Sequence, residues 1–317
     1  MAGHKRWSEI KHKRKKEDKT RVLIFGGSGW LARRFYTDLR LLGFQTWIAE
    51  SSVDITKSYI VDKAVETVNP HFILNCAGKT GRPNIDWCET HRVETWRSNV
   101  LGAKVLLDAC LKYGIAMVHL SSGCIYNGTS PNPGGFKEED SPCPVSYYAE
   151  TKVQAEEILK AHLDSVLIAR LRMPIDKHPN SRNLITKLAG YGKVIDVLNS
   201  VSIVDDLVFS LAKLMHKRRT GIYNIVSPGS VFHRDIMAWY RKIVDQRHEY
   251  ELIPAENLFK QGLAKAGRSN CILSTAKLEK EKIYLPTAEW GIKFCLGQYA
   301  KELSDYLAAL NQKREGI

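Results

Sequence analysis

Residues 22–25 form a short apolar, β-prone run behind a charged stretch, and the run predicts a strand. From 30 to 42 apolar positions return at helical spacing. A second strand is expected at 46–49 and a second helix at 59–68, which Pro70 closes. The pattern then gives a strand at 72–74, a long helix from about 93 to 113 and a strand at 116–120. A helix at 148–161 and a strand at 166–171 follow. Strands alternating with helices predict an α/β fold: a Rossmann-like, doubly wound parallel sheet with right-handed crossovers. Two stretches break the rhythm. Residues 127–145 are rich in Pro, Gly and acids and read as a surface loop. Beyond Pro174 the alternation becomes irregular, with a helix expected at 203–216, a strand at 221–226 and a helix at 232–244.

Composition narrows the class. At 317 residues, 44% hydrophobic and 26% charged, the chain can bury a substantial core. No apolar run approaches the roughly 18 residues that a membrane span needs, and the N-terminus has no apolar signal region. The seven cysteines are scattered, with no Cys-x-x-Cys pair, so reduced thiols and a cytoplasmic setting are expected. The net charge is +13, and the first twenty residues hold eight Lys or Arg against three acids. Such a patch can serve a nucleic acid or a membrane, but it has no interleaved aromatics beyond Trp7. The expectation is a solvated tail over 1–20, with no nucleic-acid or membrane partner. No spacing of His, Cys and acids argues for a metal.

The first chemical motif follows the first strand: Gly26-Gly27-Ser28-Gly29-Trp30-Leu31-Ala32. Glycines let the chain turn tightly and approach a pyrophosphate, and the next helix offers N–H donors and its positive end. Gly26, Ser28, Gly29, Trp30 and Leu31 are therefore cofactor candidates. Glu50 ends the second strand, where a carboxylate can hold a ribose 2′-hydroxyl. Arg33 and Arg34 lie just past the loop, facing either a 2′-phosphate or solvent. Asp54, beside Ile55, is a candidate for the adenine or else for a helix cap. These readings divide the chain into the tail (1–20), an NAD(P)-binding Rossmann domain (21–175) and a smaller C-terminal substrate-binding lobe (176–317). Some elements of the lobe are expected to return to the main sheet.

The second motif is Tyr148-Ala149-Glu150-Thr151-Lys152, with Tyr and Lys one helical turn apart on one face. A neighbouring ammonium and a cationic nicotinamide ring favour the phenolate over a phenol of pKa near 10. The pair follows Ser121-Ser122-Gly123-Cys124-Ile125-Tyr126 at the end of a strand, where parallel sheets bind ligands.

Together these residues resemble the extended short-chain dehydrogenase/reductases. The resemblance covers the chain from about Arg21 onward. It implies that Ser122, Tyr148 and Lys152 are the catalytic set. It also implies that Asn75-Cys76-Ala77-Gly78 lines the cofactor and that Asn99 is a structural or relay residue. A narrower resemblance lies in the segment from Thr80 to Glu89, in Gly123-Cys124-Ile125, in Arg172-Met173-Pro174-Ile175, in Arg182 to Lys187 and in Arg268-Ser269-Asn270. These look like the bifunctional UDP-4-keto-6-deoxyglucose 3,5-epimerase/4-reductases of UDP-rhamnose synthesis. Their kin are bacterial dTDP-4-dehydrorhamnose reductase and GDP-fucose synthase. That implies a UDP-sugar substrate, UDP-β-L-rhamnose as product and NADPH as the usual reductant, with NADH admissible. The chain departs from the plant form at Gly27, where that form carries a basic residue, and in its long basic tail.

The chemistry asks for more than a reductase. A 4-keto group acidifies the protons on C3 and C5, and inverting each centre needs an acid and a base nearby. Cys124 lies two residues after Ser122 and would line the same cleft. By the resemblance, Cys124 and Lys187 are the acid/base pair, and Ser122 and Tyr148 hold the C4 oxygen. Cys124 as packing and Lys187 on a solvated face are the plainer alternatives. Thr80, Gly81, Arg82, Asn84, Asp86, Arg182, Asn183, Asn199 and Asn270 are substrate candidates. Arg268 suits a diphosphate, because its planar fork matches phosphate geometry. A 4-reductase alone keeps Ser122, Tyr148 and Lys152 without needing Cys124 or Lys187. A catalytically silent regulatory subunit needs none of them. A homodimer is compatible with either.

Overall fold

The computed structural model describes residues 19–50 and 52–314, with side chains as far as residue 305. Most of the basic tail lies outside them. Six strands form one parallel sheet: β1 (Arg21–Phe25), β2 (Gln45–Ile48), β3 (Phe72–Asn75), β4 (Ala116–Ser122), β5 (Val166–Leu171) and β6 (Gly221–Asn224). Their order is β6-β5-β4-β3-β1-β2. The chain leaves β1 for β2 on one side, then crosses back to lay β3 on the other. That reversal opens a crevice beyond the carboxyl ends of β1 and β3.

Alternation along the strands explains the layers. Val22, Ile24, Leu74, Val118 and Leu167 point to one face, where Phe35 and Leu39 of α1 (Trp30–Leu41) join one core. Leu23, Phe25, Ile73, Met117 and Ile168 point to the other. There they meet Val61 of α2 (Ser58–Val68), Leu106 of α3 (Gly102–Tyr113) and Leu159 of α4 (Tyr147–Lys160). With both faces covered, the strands are apolar along most of their length, broken by buried polar residues such as Asn75, His119 and Arg170. The fold class is therefore α/β and Rossmann-like, as the alternation predicts.

The later segments build a separate core. Ile185 and Leu188 of α5 (Leu184–Ala189) pack with Ile236 and Tyr240 of α7 (His233–Ile243) and Ile292 and Leu296 of α8 (Ala288–Arg314). Between these, α6 (Val204–His216) covers the main sheet and leads into its edge strand β6. Among the described residues no helix is long and apolar enough to cross a membrane.

One expected element differs. The helix foreseen at 93–113 is a short helix (Arg92–Trp96), a π-helical turn (Arg97–Leu101) and then α3. The wide turn carries Asn99, which is buried and bonded to neighbouring segments. Such bulges are common where a helix serves a site.

Candidate active site

The glycine loop fills the crevice beside β1. Gly26 sits at φ +92°, and the N–H of Gly29 donates to its carbonyl at 2.8 Å, closing a tight turn. A Cβ on Gly26 would lie 2.6 Å from the Ala77 nitrogen, and one on Gly27 would lie 2.4 Å from the Ala49 carbonyl oxygen. The loop thus packs backbone against backbone, and α1 starts from Gly29 with no side-chain cap. Its first N–H groups therefore have no side-chain cap to accept from them, the arrangement in which a helix start can take an anion. Ser28, Gly29, Trp30 and Leu31 line a cleft of about 1460 Å3 with Cys76, Ala77 and Gly78.

Neighbouring charges separate by role. Arg34 is locked by Asp38 at 2.8 Å, Asp205 at 2.6 Å and Asp176. It is a strut between α1 and the later segments. Asp176, buried, also accepts from Trp30 Nε1 at 3.1 Å; no sequence pattern marked it. Arg33 is exposed beside the loop, with Nε 3.5 Å from the Gly27 carbonyl oxygen, and Glu50 is exposed after β2. Asp54 accepts from the Thr56 amide at 3.0 Å and the Thr56 hydroxyl at 2.7 Å, which ties the turn before α2. The Ile55 side chain lies in the core against Gly102.

Ser122 ends β4, and its hydroxyl accepts from the Cys124 amide at 3.1 Å, capping the 3-10 turn Gly123–Ile125. Ser146 caps α4, setting Tyr148 and Lys152 on the face turned to β4. Lys152 donates to the Leu120 carbonyl at 2.9 Å. Burial draws its pKa down to about 8, although Glu156 works the other way. Burial pushes the Tyr148 phenol well above its usual value and Cys124 adds to the rise, while a hydrogen bond with Ser122 opposes it. The phenolate that the Tyr-x-x-x-Lys spacing suggests is not the resting form of the protein alone, because desolvation outweighs the Ser122 hydrogen bond and the Arg172 charge. Tyr148 therefore rests as a proton donor.

Two buried devices hold this trio. Asn99 accepts from the Lys79 amide at 2.7 Å and donates to the Lys79 carbonyl at 3.1 Å and the Thr151 hydroxyl at 3.0 Å. It staples the segment after β3 to α4 without lining the cleft. Glu156, one turn beyond Lys152, pairs with Arg170 of β5 at 2.6 Å and accepts from Ser121 at 2.5 Å; both ions are fully buried. Sequence reasoning missed this pair, since a Glu on a helix and an Arg in a strand give no local signal.

Cys124 and Lys187 line the same cleft as Tyr148. Burial first, then Arg182 and Arg268, pull the Lys187 ammonium below its usual range, and Cys124 opposes them. Thr80, Gly81, Arg82 and Asn84 line the cleft as well, as do Arg182, Arg268 and Asn270. Arg182 donates to the Thr80 hydroxyl at 3.1 Å and the Gly81 carbonyl at 2.5 Å. Asp86 takes two hydrogen bonds from Arg268, each of 2.8 Å, and others from the amides of Lys265 and Ala266. Burial works against the Asp86 charge, but these donors hold its carboxyl below the usual range. Asp86 thus clasps 265–268 over the cleft. Asn183 caps α5, and Asn199 accepts from Arg172 at 2.6 Å; neither lines the cleft.

A family model described as the RmlD substrate binding domain matches residues 20–299. The bifunctional dTDP-4-dehydrorhamnose 3,5-epimerase/dTDP-4-dehydrorhamnose reductase of Arabidopsis thaliana is 38% identical over 82% of this chain and 86% of its own. The chain spans about two-fifths of the length of trifunctional rhamnose-synthesis relatives from the same plant, where the share is 39%. The crystal structure of the UDP-rhamnose synthase of Acanthamoeba polyphaga mimivirus superposes with a TM-score of 0.82 at 29% identity, covering 89% of this chain and all of that one. A dTDP-4-dehydrorhamnose reductase from Bacillus anthracis, in complex with NADP, shares the fold at a TM-score of 0.76 and 22% identity, covering 88% and 98% of the two chains.

Proposed function

The chain belongs to the RmlD substrate-binding-domain family, and on that premise we propose that it is a bifunctional 3,5-epimerase/4-reductase. Its substrate is UDP-4-keto-6-deoxyglucose and its product UDP-β-L-rhamnose. The observation that carries this reading is the shared cleft: Ser122, Tyr148 and Lys152 face the same space as Cys124 and Lys187. The first three are a reductase set, and a reductase alone has no use for the other two. Names among the relatives agree, since the plant protein at 38% identity is an epimerase and a reductase.

The cofactor reading is NADPH. The uncapped start of α1 and the glycine cradle fit a pyrophosphate, and exposed Arg33 stands where a 2′-phosphate can be met. Glu50, also exposed, leaves room for NADH. A bound reduced nicotinamide supplies the hydride for C4. The chain's own residues do the rest. Ser122 and Tyr148 donate hydrogen bonds to the C4 oxygen, which steadies the negative charge formed when C3 or C5 loses its proton. Cys124 and Lys187 exchange protons at those carbons. Tyr148 gives its proton to the C4 oxygen at reduction, and Lys152, held by the Leu120 carbonyl, keeps a cation beside it. Arg182 brings positive charge for the diphosphate, and Arg268 lines the same cleft with its charge met by Asp86.

The test runs the keto-sugar and NADPH in heavy water. Wild type is expected to place deuterium at C3 and C5 of the rhamnose product. Cys124→Ala and Lys187→Ala should place far less, since general acid–base catalysis is worth on the order of 10²–10⁴ in rate. Equal uptake in all three proteins removes both residues from the chemistry. No uptake in wild type leaves a 4-reductase acting on a sugar epimerised elsewhere.

A further inference from the structure

Arg172 and His233 both line the cleft, and both are 3% exposed. Each leaves one buried hydrogen-bonding atom without a partner among the described residues. Arg172, just past β5, engages its two terminal nitrogens. Nη1 lies 2.8 Å from Cys124 Sγ, and Nη2 donates to Asn199 Oδ1 at 2.6 Å and to the Ser269 carbonyl. Its Nε–H has no acceptor. His233, the first residue of α7, has Nδ1 2.9 Å from the Ile195 carbonyl oxygen, and its Nε2 is unmatched. Buried polar atoms are seldom left so, because each has given up its water. The fold brings the two residues together. Leu198–Asn199 pairs antiparallel with Val231–Phe232, so the Asn199 that holds Arg172 lies beside the strand leading into His233.

The polarity of the two atoms selects a ligand group. A carbonyl oxygen only accepts, so His233 Nδ1 carries the proton. Burial draws the ring's pKa down to about 4, with help from the Arg172 charge and against the Ile195 hydrogen bond. The ring is neutral, and Nε2 is a bare acceptor beside the Arg172 Nε–H donor. An ionised phosphate oxygen has no proton to give Nε2. An ammonium is repelled by the guanidinium. A ketone oxygen satisfies the donor and leaves the acceptor bare. A hydroxyl meets both, since it gives one hydrogen bond and takes another.

The contact with Cys124 places this end of Arg172 at the part of the cleft that also holds Ser122 and Tyr148, where the hexose would react. We infer that Arg172 and His233 form a hydroxyl subsite for the hexose, and that it takes the C2 hydroxyl. The inference rests on the nucleotide-sugar reading above. A 4-keto-6-deoxyhexose linked through C1 has free hydroxyls only at C2 and C3. Inversion at C3 carries its hydroxyl to the other face of the ring, away from a fixed pair of buried groups. C2 keeps its configuration from substrate to product, so one rigid donor and acceptor hold it through every step. The subsite pins the ring while protons move at C3 and C5 and hydride arrives at C4. It also sets specificity, because a 2-deoxy sugar leaves both buried atoms unmatched.

The experiment is calorimetric binding of UDP-β-L-rhamnose and its 2-deoxy analogue to the full chain, with and without NADP+, so that turnover is not the readout. Wild type should bind the 2-deoxy sugar about tenfold or more weakly, because the buried donor and acceptor lose their partner. A smaller ratio overturns the inference, even if every variant fails to fold. His233→Phe keeps a ring without the acceptor, and the folded variant should lose most of the discrimination. His233→Gln, whose amide oxygen can stand where Nε2 lies, should recover part of it. Discrimination that survives His233→Phe, or that His233→Gln does not recover, overturns the role of His233. A third ligand, with 2′-deoxyribose in place of ribose, separates the two sources of a hydroxyl. A loss of affinity on that ligand that vanishes in His233→Phe moves the subsite to the ribose and overturns the hexose assignment. The deuterium experiment above is independent. No uptake in wild type with strong 2-deoxy discrimination removes the epimerase and keeps the subsite. Full uptake without discrimination keeps the epimerase and removes the subsite.

Discussion

Glu156→Ala should be among the most destabilising substitutions in this protein. Both Glu156 and Arg170 are fully buried, and Arg170 sends Nε and Nη2 to the carboxylate at 2.6–3.1 Å. After truncation the guanidinium keeps only neutral partners, the Tyr126 hydroxyl at 2.8 Å and the Glu138 carbonyl at 3.0 Å. A buried pair broken on one side costs about 3–5 kcal/mol, because the surviving charge stays out of water without compensation. Ser121 loses its acceptor too, and Ser121 adjoins Ser122. The loss corresponds to a fall in melting temperature of roughly 5–8 °C for a chain of this length. Glu156→Gln keeps the volume and removes the charge, so it separates cavity from ion pair. Urea unfolding of the three proteins measures both effects. Glu156→Gln should lose most of what Glu156→Ala loses. If both lie within about 1 kcal/mol of wild type, the pair does not carry the strain-free packing of α4 on the sheet, and the argument fails.

Other outcomes follow from the site. Lys152, drawn to about 8 by burial, carries its charge below that pH and loses it above, so log(kcat/KM) for reduction should bend downward as pH rises through about 8. A limb appearing only at about 10, the ordinary lysine range, would show that burial does not set this group. Gly26→Ala puts a Cβ 2.6 Å from the Ala77 nitrogen at a φ of +92°, and fluorescence titration should show weaker NADPH binding, with a stability loss of about 1–3 kcal/mol. Unchanged affinity would mean that the loop does not cradle the cofactor. Asp86→Ala unclasps Arg268 and should raise KM for the nucleotide sugar about tenfold or more, with a smaller effect on kcat, since charge-assisted hydrogen bonds are worth about 1.5–3 kcal/mol. Steady-state kinetics with an unmoved KM would make the clasp purely structural.

Much of the fold is local information, and the sequence carries local information well. Alternating apolar faces need only β-strand geometry, so 22–25, 72–74 and 166–171 read as strands and lie in one parallel sheet. The glycine loop and the Tyr148–Lys152 pair are also short-range: each depends on spacing within a turn or two. Helix interiors were legible where periodicity was unbroken. The run at 93–113 was not, because a π-turn keeps the composition of a helix while its register changes to bring Asn99 inward. What the chain could not disclose is which distant charges meet. Arg34 reads as a solvent or phosphate contact until Asp176 and Asp205 arrive from 142 and 171 residues away. Asp86 and Arg268, separated by 182 positions, each look like a ligand contact, yet they bind each other. Arg172 meets Cys124 across 48 residues, a contact that no local spacing announces. The tertiary structure alone decided these pairings: burial makes an unpaired charge costly, and only the folded chain determines which opposite group is near enough to compensate it.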